Sequence, residues 1–111
     1  MIMIENKLMK FIIKGPLKEN LSVLTRKIGY HFQGEDSETK EINLIRPIER
    51  SGYPRFHLFL QDKKEELVFN LHLDQKKPTY KGVIAHAGEY DGKVVETEAE
   101  RIKQIIIGWE M

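Results

Sequence analysis

The sequence predicts an α+β fold: a two-layer sandwich whose mainly antiparallel sheet of four to five strands carries two amphipathic helices on one face, in the order β-α-β-β-β-β-α. Three observations predict it. Arg55 to Asp74 reads RFHLFLQDKKEELVFNLHLD, two alternating apolar runs around a charged turn, which is the pattern of a β-hairpin with one greasy face. Leu17, Leu21, Leu24 and Ile28 repeat at helical spacing, as do Val95, Ala99, Ile102, Ile106 and Trp109. Two such stripes need a surface to bury against, and the hairpin supplies it.

The elements follow in order. Met9 to Lys14 is a short β-rich run ended by Gly15-Pro16. Proline suits the first position of a helix, so the first helix is expected over Pro16–Ile28, with Lys18, Ser22, Thr25 and Arg26 outward and Gly29 as its left-handed cap. Tyr30 to Gln33 alternates as a strand would, with Tyr30 and Phe32 inward. Glu41 to Arg50 resumes β character with Ile42, Leu44 and Ile48 in phase. Pro47 cannot donate to a ladder, which marks that strand as an edge or as bulged.

In the hairpin, a two-residue turn at Lys63-Lys64 places Leu58 opposite Phe69 and His57 opposite Asn70. Lys-Lys is a poor turn pair, and a four-residue loop keeps the same parity. Either way Arg55, His57, Phe59, Val68, Asn70, His72 and Asp74 share the second face. Gln75 to Gly92 is irregular, with a short strand expected at Gly82–Ala85. Lys93–Ile107 is the clearest helix, with Asp91 as N-cap, Glu96, Glu98 and Glu100 favoured by the dipole in its first half, and Trp109 folded back past Gly108.

At 111 residues the chain is expected to form a single globular domain, 1–111. Hydrophobic residues at 41% and charged residues at 32% fit a globular protein. With 18 basic against 17 acidic side chains, any nucleic-acid or membrane attraction needs a local patch. The chain has no cysteine, which excludes disulfides, thiolate metal sites and cysteine nucleophiles and fits a cytoplasmic location. Glu5, Asn6, Lys7 and Lys10 interrupt the apolar start, so neither a signal-peptide core nor a membrane association is expected. Asn20-Leu21-Ser22 is read as a chance glycosylation sequon.

Chemistry-bearing residues gather on the second face of the hairpin. For nucleic acid, Arg46, Arg50, Tyr53, Arg55, His57 and Phe59 interleave cations that contact phosphates with rings that stack on bases. For catalysis, His72 and Asp74 lie two apart on one strand and point the same way, as an acid–base pair requires. For a metal, His57, His72, Asp74, His86 and Glu89 offer imidazole and carboxylate ligands, and two histidines with a carboxylate suffice for an open catalytic site. Against each stands the plainer reading of a solvated sheet face, with Lys63 and Lys64 keeping the hairpin soluble. The glycine-containing loop after the hairpin has neither Walker A nor dinucleotide-binding spacing.

From Pro16 onward the helix–strands–helix order resembles that of double-stranded RNA-binding domains, in element order alone. Glu96, Glu98 and Glu100 stand where such a domain carries basic residues, so no function is carried over. The leading expectation is a small binding module that takes RNA or single-stranded DNA on its open sheet face. The alternative is a metal-assisted hydrolase or nuclease, in which case a divalent metal is its cofactor. The third is a protein-interaction domain, paired with a partner protein or as a homodimer.

Overall fold

The computed structural model describes residues 8–75 and 92–108. Five strands form one antiparallel sheet: β1 (Leu8–Lys14), β2 (His31–Glu35), β3 (Ile42–Pro47), β4 (Arg55–Asp62) and β5 (Glu66–Asp74), in the spatial order β1-β5-β4-β3-β2. Two helices complete the chain, α1 (Leu21–Ile28) between β1 and β2, and α2 (Gly92–Gly108) after β5. The first strand thus lies at an edge, beside β5. No described helix is long and apolar enough to cross a membrane.

Period-two alternation sorts the strands into two faces. Phe11 and Ile13 on β1, Leu67, Phe69, Leu71 and Leu73 on β5, Phe56, Leu58 and Leu60 on β4, and Ile42 and Leu44 on β3 are buried. They form one core with Leu24 and Ile28 of α1 and Val95, Ala99 and Ile102 of α2. Phe11 stacks flat on Phe69 at 4.8 Å between ring centroids. Fully burying a side chain such as Leu58 or Phe69 stabilises the fold by about 1.5–3 kcal/mol.

Helix α1 starts at Leu21, not at Pro16. Asn20 is extended and its side-chain oxygen accepts from the Val23 amide at 2.9 Å, so a side-chain cap sets the first turn instead of proline geometry. The helix ends as expected at Gly29, whose φ of 83° belongs to the left-handed region, with its amide and that of Tyr30 returning to the carbonyls of Arg26 and Thr25. Thr25, expected outward, is buried beside Leu24 and Ile28.

Strand β2 begins at His31. Tyr30 is buried as expected, whereas Phe32 is 54% exposed on this edge strand, beside a bulge between Phe32 and Gly34. Strand β3 is interior, not an edge. Pro47 is its last residue, paired with Arg55, so the ladder simply stops where the donor is missing. Ile48 lies beyond it and is exposed. The expected strand at Gly82–Ala85, the Asp91 cap and the Trp109 contact lie outside the described residues.

Candidate metal centre

The β4–β5 hairpin positions the open face. Its loop is the four-residue form: Asp62 pairs with Leu67, the Lys63 amide donates to the Glu66 carbonyl, and Lys64, at φ 71°, donates its amide to the Asp62 carboxylate. This register lies two residues from that of a two-residue turn. Leu58 stands opposite Leu71, not Phe69, and His57 opposite His72, not Asn70. Arg55 stands opposite Asp74. A two-residue shift preserves the faces and changes every partner.

The new partners converge. Asp74 places Oδ2 3.1 Å from His57 Nδ1 and Oδ1 3.5 Å from His72 Nδ1. One potential ligand atom from each of the three residues lies within 4.8 Å of the others. Ligand atoms bound tetrahedrally at zinc bond lengths sit about 3.3 Å apart; each histidine nitrogen lies near that distance from an Asp74 oxygen, His57 from Oδ2 and His72 from Oδ1, and the three-residue spread of up to 4.8 Å is wider. His57 Nε2 hydrogen-bonds to Oδ1 of Asn43 on β3. With an ion bound, a neutral ring donating Nε2–H there would leave its Nδ1 lone pair on the Asp74 side, the arrangement that orients metal-binding histidines; without one, Nδ1 sits at hydrogen-bond distance from Asp74 Oδ2. Burial holds His72 below the ordinary imidazole pKa, and His57 acts in the same direction, against the opposing pull of Asp74. A neutral imidazole is the form that binds metal.

Around this centre the face is ring-rich. Phe59 stacks on His57 at 4.4 Å and on His72 at 5.3 Å, and the two histidine rings are 5.1 Å apart. Arg55 donates from Nε to Asp74 Oδ2 at 3.4 Å, and its guanidinium lies 4.4 Å above the Tyr53 ring. The centre is partly buried, with side-chain exposures of 18% for His57, 30% for His72 and 26% for Asp74, and Val68 of the same face is 7% exposed.

The structure brings together three of the five metal candidates. His86 and Glu89 lie outside the described residues. The nucleic-acid set is divided. Arg55, His57 and Phe59 share the open face, Tyr53 lies beneath Arg55, and Arg50 is exposed in the β3–β4 connection. Arg46 points to the helix side, where Nη1 donates to Glu98 Oε1 at 3.2 Å. Asn43 was not among the expected site residues. Its place between buried Ile42 and Leu44 gives its face, but only the tertiary register gives its partner.

Glu98 has a further role that was not expected from the sequence. Expected as one of the dipole-favoured acids, it is 4% exposed. Arg101 donates to it through Nε and Nη2, each at 2.9 Å, and the Tyr30 hydroxyl donates at 2.6 Å. Arg101 Nη2 also reaches the Ile28 carbonyl at 2.5 Å. The network joins α2 to the end of α1 and to β3, and its donors saturate the carboxylate, so it serves the fold. A separate apolar cavity of about 300 Å³ lies on the helix side, lined by Leu17, Leu24, Leu67, Ile105 and Ile106 with Lys14, Lys18, Lys27 and Glu19. It holds no histidine, and the convergent chemistry is on the open face.

The chain matches no protein-family model, no curated protein and no solved structure.

Proposed function

We propose that the protein binds a divalent first-row transition ion through His57, His72 and Asp74 and uses it for hydrolysis. The carrying observation is the hairpin register, which pairs His57 with His72 and gives both a share of one carboxylate. Two imidazoles and a carboxylate occupy one side of an ion and leave positions open to solvent and substrate. An ion so held would lower the pKa of bound water toward neutrality and supply a Lewis acid for an ester oxygen. The protein's own groups orient the ligands: Asn43 fixes the His57 ring, and Phe59 packs against both histidines.

The test is turnover of ester substrates by protein loaded with zinc, cobalt or manganese. Loaded protein is expected to hydrolyse at least one class, and His72→Ala to lose that activity together with its metal. Stoichiometric metal binding with no hydrolysis across carboxylic and phosphoric esters would leave a metal-binding module and end the enzymatic reading.

A second reading, single-stranded RNA or DNA laid across the same face, is supported by the tier of Phe59, His57 and His72 rings with Arg55 at its margin. It requires affinity that falls steeply with salt and with Arg55→Ala. Absence of binding at low salt ends it.

A further inference from the structure

Arg55 is held more firmly than the metal reading alone requires. Its guanidinium is fixed on one side by the Tyr53 ring, 4.4 Å away, and at Nε by Asp74. Among the described residues, its terminal nitrogens have no hydrogen-bond partner. The side chain is 25% exposed, so solvent reaches it. A planar fork with its stem fixed and its two ends unengaged is a receptor for a bidentate oxyanion.

The charge of the surroundings agrees. Among the described residues Asp74 is the acid at the centre, and Lys10 of β1 shares the face, opposite Asn70 in the row that contains Phe59. Glu66 lies at the far end of β5, opposite Lys14. With a divalent ion held by two neutral histidines and Asp74, and Arg55 beside them, the centre carries a net charge of about +2, which is matched by a dianion and not by a neutral ester.

Resting on the metal reading above, we infer that the substrate class is a phosphate ester, and that Arg55 anchors its phosphoryl oxygens beside the ion. Arg55 then binds substrate, and its one long contact to Asp74, at 3.4 Å, competes with the ion for that carboxylate, so its loss acts on the anion and spares the ion.

The test uses the full chain loaded with cobalt(II), whose visible absorption reports on its ligands, titrated with inorganic phosphate and in parallel with acetate. Phosphate is expected to perturb the spectrum saturably and acetate to do so at least about tenfold more weakly. Arg55→Ala is expected to weaken phosphate about tenfold or more while holding cobalt as tightly as wild type or tighter, and Arg55→Lys to recover only part of the loss. Phosphate affinity unchanged in Arg55→Ala, or acetate equal to phosphate, overturns the inference and leaves the metal site standing. Failure of the wild type to take up cobalt overturns both.

Discussion

His57 stands directly across from His72 on neighbouring strands, their rings 5.1 Å apart, and both turn Nδ1 toward the same Asp74 carboxylate. The geometry is a property of the hairpin register. Any change that slides β4 against β5 takes the three ligands apart while leaving the core alternation intact.

Asn43 orients His57 and does not itself touch an ion. Asn43→Ala is therefore expected to lower metal affinity about 10–100-fold, the usual cost of losing an outer partner of a ligating histidine. Competition with a chromophoric chelator measures it. Thermal unfolding of the metal-free variant, run alongside, should stay close to wild type, because the Asn43 position faces solvent and not the core.

The face of each residue of the β4–β5 hairpin was legible in the sequence, because alternation fixes parity regardless of partner, whereas Phe32 on the bulged edge strand β2 was expected inward and is exposed. Phe56, Leu58, Phe69 and Leu71 face the core as expected, and His57, His72 and Asp74 lie on the opposite face. Partners were not legible, because they depend on the loop at Lys63–Glu66. Two- and four-residue loops satisfy the alternation equally, and only the longer one brings His57 across from His72. The burial of Glu98 was not legible for a different reason. Its neighbours Glu96 and Glu100 are exposed, but Glu98 falls between Val95 and Ile102 on the buried stripe, and its donors Tyr30, Arg46 and Arg101 come from three separate segments. Asn20 is a residue type that caps helices, but it enters the expectation only as part of a sequon, with the helix start at Pro16 instead.

The Glu98 network makes a stability prediction. Glu98→Gln leaves Arg101 and Arg46 without their counter-charge and is expected to destabilise by about 2–4 kcal/mol, below the figure for a fully buried pair because both arginines reach solvent. Tyr30→Phe removes one donor from a buried carboxylate, at a cost of about 1–2 kcal/mol. Urea unfolding of the single and double variants should show non-additive losses, since both act on one carboxylate.

Tyr30 also sets an alkaline limit. Burial, and then the charge of Glu98, push its phenol well above the ordinary tyrosine pKa, so the unfolded chain loses this proton first as pH rises. Stability from this group is complete below about pH 10 and declines above it by up to about 1.4 kcal/mol per pH unit. Unfolding free energy measured at pH 9 and pH 11 should fall more for wild type than for Tyr30→Phe. Equal losses would show that Tyr30 ionises within the folded protein.

Gly15 is where the chain after β1 meets the hairpin loop. Its amide donates to the Glu65 carbonyl at 2.9 Å, and a Cβ there would stand 2.3 Å from the Lys64 carbonyl oxygen. Backbone cannot yield as a flexible side chain does, so Gly15→Ala is expected to destabilise by about 1–3 kcal/mol. The same chemical-denaturation series measures it.

The central claim is that His57, His72 and Asp74 form one metal centre. Cobalt(II) titration of metal-free protein, followed by visible absorption, tests it most directly. One equivalent is expected to bind with the d–d bands of a low-coordinate nitrogen–oxygen site, abolished in His72→Ala and Asp74→Asn and retained in His31→Ala. No saturable absorption in the wild type, or an unchanged spectrum in His72→Ala, would contradict it.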